Sequence, residues 1–450
     1  MLPAQLLAGF AVLCRSLPMP FPWTILSAWP AAFFAGTGEM PMTRSAVASP
    51  SEPPSAMRIP GSWNREAHRL YLAGRLEEAV NLAIRDAGKH VERFVQAMYY
   101  VYMHGDYRAG LVFCREFLKR RPGDVEMLNN ACACCTKLGK YREAVGYAES
   151  VLAVDPDNAD ACDILAHAYG RLQDMTKARE AGTRALVLKD RAVSKASAET
   201  ALHQSAGTEA FLREARQKKS VCAFSLFGAS PRYLRGALYN VLVAKELYPG
   251  WVMRFYLDET VPEDFRRLLR GLDAEVVEQD AGASRDRKLC WRFLVASDPE
   301  VGRFAVRDCD SGFSLREAVV VGEWLASGRL FHVIRDWYTH TDLMLAGLWG
   351  GYAGVLPDMQ SLLDRFFADN RTLTPNIDQL FLGRCVWPAA RSSCLVHDRF
   401  FDAFEPRRPP MQFFRTRNDH MGSDRSIVDR AWQDKVLAAW AEQCPCLRWP

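Results

Sequence analysis

Asp308 and Asp310, separated by one cysteine in Arg307-Asp308-Cys309-Asp310-Ser311, are the residues most suited to chemistry in this chain. Two carboxylates at i and i+2, just past a strand, can converge on one hard divalent cation. Mg²⁺ or Mn²⁺ takes oxygen ligands and shares its coordination sphere with substrate phosphates. A cation bridging a diphosphate stabilises that group as it leaves. Arg307 is placed either to add a charge-assisted phosphate contact or to clamp a carboxylate. Read alone, the same pentapeptide is a turn with Ser311 capping the following helix.

Context changes that reading. Ser220 to Phe227 is a short apolar run of strand formers, and Gly228 and Pro231 punctuate it. A helical stretch over Tyr233–Val241 follows, then a strand over Val252–Leu257, a helix over Glu263–Leu272 and a strand over Ala274–Glu278. Phe304-Ala305-Val306 is a buried-strand pattern that runs straight into the aspartates. Strands alternating with helices imply a parallel sheet covered on both faces. Ligands of such sheets sit beyond the carboxyl ends of the strands. Functional weight therefore falls on Gly228 to Arg232, on Asp258 and on the acidic motif.

The motif in this setting resembles the Asp-x-Asp position of GT-A glycosyltransferases, over roughly residues 218–402. Glu323-Trp324, His332, Arg335-Asp336, His340, Leu348-Trp349-Gly350-Gly351, Asp378-Gln379 and His397-Asp398 continue it. The resemblance implies a nucleotide-sugar donor, a Mn²⁺ or Mg²⁺ cofactor, and an acceptor that is a glycan, lipid or protein. It implies donor contacts from Phe224, Gly228, Arg232, Arg292, Arg307, Asp308, Trp349 and Gly350. Metal ligands would be Asp308, Asp310 and His397, with Asp310 first among them; Asp308 is also read as a ribose contact. His397 is equally a histidine capping a turn. Asp378 opens a helix, where it caps or serves as a base toward the acceptor hydroxyl. Trp349 with its glycines is a plate for the apolar face of a sugar, or a buried ring before a turn. Arg335 and Asp336 form an ion pair, or Arg335 or His340 reaches the diphosphate.

Upstream, the chain repeats itself at an offset of 34: Gly105-Asp106-Tyr107 with Gly139-Lys140-Tyr141, Pro122 with Pro156, Ala144 with Ala178, and Leu118, Leu152 and Leu186 in series. Gln173-Asp174-Met175 holds the Gly-x-Tyr place in a degenerate unit, and Gly74-Arg75-Leu76 opens an earlier one. The period resembles the tetratricopeptide repeat, whose helix pairs stack because none buries its apolar face alone. Such an array binds a partner protein, dimerises, or only supports the next domain.

The expected architecture is thus multidomain: a leader and linker over 1–60, an all-α repeat solenoid over 61–215, an α/β GT-A-like domain over 216–405, and a C-terminal extension over 406–450 with a helix from Ser426 to Gln443. The leader is apolar but proline-rich and lacks a basic start, which disfavours both a signal peptide and a spanning helix. Met42 and Met57 are alternative starts. A formal net charge of +4 on 450 residues, without a Lys/Arg run, argues against nucleic acid. The 13 cysteines follow no disulfide or zinc spacing and read as buried thiols of a reducing cytoplasm, with peripheral placement at the inner membrane face left open. The competing reading is a repeat-based interaction scaffold carrying an inactive transferase fold.

Overall fold

The computed structural model describes residues 61–87, 92–196, 202, 208–370, 376–410, 420–424 and 430–449. The expected leader over 1–60 and the first residues of the C-terminal helix lie outside the described residues. The chain forms two compact units, residues 1–120 and 121–450.

The first unit holds two helix pairs: α1 (Arg65–Leu72) with α2 (Leu76–Ala87), and α3 (Glu92–His104) with α4 (Tyr107–Arg120). Asn64 caps α1 by accepting from the Ala67 amide. Buried Gln96 binds the Asn64 main chain at both its N–H and its carbonyl, fixing the start of α1 against α3.

The second unit opens with two more pairs, α5 (Val125–Lys137) with α6 (Tyr141–Val154), and α7 (Ala159–Arg171) with α8 (Met175–Ala196). The period of 34 is visible in the backbone. Gly105, Gly139 and Gln173 all adopt positive φ at the turn between paired helices. Gln173 carries the left-handed turn at φ 66°, which glycine adopts without a Cβ penalty. Asp124 and Asn158, also 34 apart, cap α5 and α7 through the amides of Met127 and Ala161.

The expected domain boundary at 215/216 falls inside the second unit, because the last repeat packs on the sheet domain. A Cβ on Gly170 of α7 would lie 2.3 Å from the Tyr338 ring, and one on Gly182 of α8 would lie 2.1 Å from Phe401. Lys189 binds Asp163 within the repeat at 2.5 Å and Asp342 of the sheet domain at 2.7 Å.

After α9 (Glu209–Gln217) come β1 (Lys219–Leu226), α10 (Pro231–Leu247), β2 (Trp251–Leu257), α11 (Glu263–Gly271) and β3 (Glu275–Glu278). Then follow α12 (Arg285–Cys290), a 3-10 helix over Trp291–Ser297, β4 (Val301–Arg307), α13 (Leu315–Ser327), β5 (Phe331–Arg335) and β6 (Leu348–Tyr352). The sequence closes with α14 (Met359–Asp369), α15 (Ile377–Phe381), a π-helical turn, α16 (Trp387–Ala390), β7 (Cys394–Asp398) and α17 (Arg430–Gln443). One seven-stranded sheet results, in the order β3-β2-β1-β4-β6-β5-β7.

The sheet is mixed, which corrects the all-parallel expectation. β6 runs antiparallel to both β4 and β5. An antiparallel return needs no crossover helix, and the loop 336–347 supplies it. Gly350 and Gly351 admit the neighbours: a Cβ on Gly350 would meet the Phe304 carbonyl at 2.6 Å, and one on Gly351 would meet Phe331 at 2.9 Å. Apolar side chains of both faces, including Phe224, Phe255, Phe293, Phe304 and Trp349, form one core.

Candidate functional site

The chain lays β1, β2 and β3 outward in one direction, then returns to place β4 on the other side of β1. The crevice beyond the carboxyl ends of β1 and β4 is therefore the switch point where an open α/β sheet receives ligands. Asp308, Cys309 and Asp310 lie directly past β4 at this crevice. A Cβ on Gly236 of α10 would sit 2.1 Å from the Cys309 carbonyl, so the missing side chain lets the helix press against the acidic loop.

The two aspartates do not converge on one point. Asp308 bonds Nη1 of Arg292, while Arg292 Nη2 reaches Asp378 Oδ2 at 3.0 Å. Arg292 is 3% exposed and also donates to the Arg307 carbonyl at 3.3 Å. A desolvated guanidinium demands partners, and it draws Asp308 to itself. Asp310 instead pairs at 2.6 Å with Arg232 Nη2, whose Nε lies 2.8 Å from Asp424. Asp308 and Asp310 thus pair with different arginines. The converging carboxylates are Asp310 and Asp424, and one guanidinium stands between them.

Burial first, and then the charge of Asp308, raise the Asp310 carboxyl to about 6; Arg232 opposes the rise. Burial likewise raises Asp378, and Arg292 opposes it. Four carboxylates, Asp308, Asp310, Asp378 and Asp424, thus face two arginines. They form two pairs, Asp310 with Asp424 and Asp308 with Asp378, each bridged by one arginine. Among the described residues, no three His, Cys, Asp or Glu side chains are grouped to hold a metal ion.

A cavity of about 220 Å³ opens beside Asp308. Arg285, Arg292, Asp378, His340, Asn376 and Gln379 line it, with Gly347 and Gly422 in its wall. On the β2 side, buried Asp258 accepts from the Thr260 amide at 3.0 Å and from Lys288 at 2.5 Å. Burial works against its charge, but the bonds from Lys288 and Thr260 hold its carboxyl below the usual value. Thr260 Oγ1 in turn accepts from the Gly228 amide at 2.7 Å, linking the ends of β1 and β2.

The other expected site residues divide clearly. Gly228 lies at the carboxyl end of β1 with φ +75°. Arg232, Arg292, Asp308, Asp310 and Asp378 meet at the crevice, and His340 joins them in the cavity wall. Arg307 does not. As the last residue of β4, Arg307 turns into the core, where it binds Glu317 at 2.6 Å and the Trp349 carbonyl at 2.9 Å. Phe224 stacks on Phe255 at 4.9 Å in the middle of β1, not at its end. Trp349 is fully buried between Phe293 and Phe304 and is no sugar plate. Gly350 serves strand packing.

His397 also lies elsewhere. It sits on β7, three strands from β4 and so about 14 Å away at the usual strand spacing. Its Nδ1 meets His332 Nε2 at 2.8 Å and its Nε2 meets Glu323 at 2.9 Å, so both ring nitrogens are engaged in the interior. Arg335 is buried on the carbonyls of Asp342 and Leu343, and Asp336 pairs with Arg316 at 3.2 Å rather than with Arg335.

Sequence reasoning missed Asp424 and Gly347. Asp424 bridges to Ser311 across 113 positions, and no local pattern announces it. Gly347 precedes β6; a Cβ there would lie 2.0 Å from Asp308 Oδ2, so glycine leaves room for the carboxylate. Among the described residues no disulfide forms: Cys114, Cys132, Cys134, Cys135, Cys162, Cys222, Cys290 and Cys309 are buried free thiols. Among the described residues, no helix is long and apolar enough to cross a membrane.

No family model and no curated protein matches the chain. Among solved structures, MamA from Desulfovibrio magneticus RS-1 is 26% identical over 29% of this chain and 75% of its own, at a TM-score of 0.26. A mutant O-GlcNAc transferase from Thermobaculum terrenum is 16% identical over 49% of this chain and 46% of its own, at a TM-score of 0.27. Neither likeness is close enough to transfer an activity.

Proposed function

We propose that the sheet domain, over about residues 216–405 of the second unit, is a GT-A-type glycosyltransferase and that the helix pairs preceding it in the sequence are tetratricopeptide repeats that recruit a protein partner or a second copy. The observation that carries the reading is the acidic loop Asp308–Asp310 at the switch point of the sheet, ringed by Arg232, Arg292, Asp378 and Asp424. A nucleotide-diphosphate sugar would place its diphosphate over Arg232 and the start of α10. Mn²⁺ or Mg²⁺ on Asp310 and Asp424 would supply positive charge to the departing diphosphate.

The chain's own residues have distinct tasks. Arg292 holds Asp308 and Asp378 at a set separation, so both carboxylates face the cavity from fixed positions. Asp378, with its raised carboxyl, accepts the proton of the acceptor hydroxyl. The bond between the anomeric carbon and the diphosphate oxygen breaks, the acceptor oxygen bonds that carbon, and the nucleoside diphosphate leaves. The residues of the Gly228–Thr260–Asp258–Lys288 network fix the floor on the β1 and β2 side.

Full-length protein incubated with a panel of nucleotide sugars and Mn²⁺ tests the reading by release of nucleoside diphosphate. Turnover with at least one donor, abolished in Asp310→Ala, is the expected result. One observation favours a second reading, an interaction scaffold with an inactive transferase fold: the site's arginines already neutralise Asp308 and Asp310 within the chain. No release from any donor, with no metal-dependent thermal shift, selects that reading.

A further inference from the structure

Two thiols meet just past the C-terminal helix. Cys444 follows α17, its amide donating to the Trp440 carbonyl at 2.8 Å, and Cys446 lies in the 3-10 turn Pro445–Leu447. Their Sγ atoms are 2.9 Å apart. A disulfide bond is about 2.04 Å long, so closing the gap needs a movement of about 0.9 Å. Pro445 between them has a fixed φ, which limits the freedom of the spacer. The two differ in access: Cys444 is buried and Cys446 is half-buried. The same turn is a clasp. The Leu447 carbonyl accepts from Arg235 Nη1 at 3.0 Å, and Arg235 Nη2 reaches Asp434 of α17 at 2.5 Å. Arg235 is buried on α10, one residue before the Gly236 that lies against the Cys309 carbonyl. The thiols therefore sit where α17 is fastened to the helix that presses on the acidic loop.

We infer that Cys444 and Cys446 form a redox modification site at this clasp: a low-molecular-weight disulfide such as oxidised glutathione converts them reversibly to an intrachain disulfide. The more accessible Cys446, as thiolate, attacks one sulfur of the oxidant and expels one glutathione thiolate, which takes up the proton that Cys446 lost. The Cys444 thiolate then attacks Cys446 Sγ in the mixed disulfide, and the second glutathione leaves and is protonated in turn. The protein gives up two electrons and two protons, and the oxidant gains them as two thiols. Burial, then the neighbouring Cys444, then the Asp264 carboxylate hold the Cys446 thiol above its usual value, so the first step is slow. The second step is fast, because its nucleophile already stands beside its target. The inference holds whether or not the sheet domain transfers a sugar.

Full-length protein incubated with excess oxidised glutathione, then trapped with an alkylating agent and digested with trypsin, tests this. Trypsin releases residues 436–448 as one peptide that carries Cys444 and Cys446 and no other cysteine. In wild type that peptide should be lighter by two hydrogen atoms and take up no alkylating agent, and dithiothreitol should restore both thiols. Cys444→Ala should stop at one glutathione on Cys446. Cys446→Ser should take up none on this peptide, because its remaining thiol is buried. Ring closure from the mixed disulfide should run at least about tenfold faster in the folded protein than in concentrated urea, where only the spacing in the sequence acts. If wild type keeps both thiols, or stops at the glutathione adduct, the inference is wrong. Equal closure rates in the folded protein and in urea would overturn the part assigned to the fold.

Discussion

Replacing Arg292 with methionine tests the geometry of the site independently of any substrate. The guanidinium is 3% exposed and carries the contacts to Asp308, Asp378 and the Arg307 carbonyl. Methionine matches much of its volume but leaves Asp378, whose side chain is 10% exposed, without a counter-charge. Removing one partner of such a buried pair costs about 3–5 kcal/mol. Asp308 suffers less, because its carboxylate is 43% exposed and water replaces the arginine. Most of the loss should therefore trace to Asp378. Adding Asp378→Asn to Arg292→Met should recover about 1–3 kcal/mol, since a neutral amide is cheaper to bury than an unpaired charge. Arg292→Lys should fall between, because a single ammonium cannot fork to both aspartates. Urea unfolding of all four proteins, followed by tryptophan fluorescence, reads these differences as shifts in midpoint at constant slope. An Arg292→Met protein within about 1 kcal/mol of wild type, against the cost given above, would refute the buried bridge.

Gly347→Ala should displace the Asp308 carboxylate, because its Cβ would lie 2.0 Å from Oδ2; if the transferase reading holds, donor turnover should fall about 10²-fold, the usual effect of a displacement near 1 Å. Gly182→Ala should destabilise the second unit by about 1–3 kcal/mol in thermal melts, as Phe401 is fully buried and has no space to retreat. Lys189→Met should cost several kcal/mol by the same measurement, because it leaves Asp163 and Asp342 facing one another without a cation. Burial raises the Asp398 carboxyl from 3.8 to about 6 against the pull of Arg335. The folded chain thus holds this proton more tightly than the unfolded one, so the group's stabilising contribution is complete below pH 4 and is lost as pH rises through 6. The difference is about 3 kcal/mol by linkage, and Asp398→Asn should flatten stability across that window in denaturant titrations.

Local features were legible along the chain. The strands over 219–226, 251–257 and 301–307 were legible through the apolar runs 220–227, 252–257 and 304–306, and the repeat announced itself by its offset of 34, down to Gln173 in the glycine position. The aspartates past Phe304-Ala305-Val306 were readable because a strand followed by Asp-x-Asp is a contiguous pattern. Residues gathered from distant segments were not. Asp424 comes beside Asp310 only through the bridge to Ser311, and Arg292 reaches Asp308 and Asp378 across 16 and 86 positions. Which way a side chain faces was equally hidden. Arg307 and Asp308 are adjacent, yet Arg307, the last residue of β4, enters the core, while Asp308, the first residue past the strand, lines the crevice. Trp349 and His397 looked like ligand contacts and are interior, since their strands, β6 and β7, lie within and at the far edge of the sheet. Residue type and spacing determined what chemistry the chain can offer. Strand order, burial and the partners of each charge decided which of those groups stand together, because these depend on contacts between segments far apart in sequence.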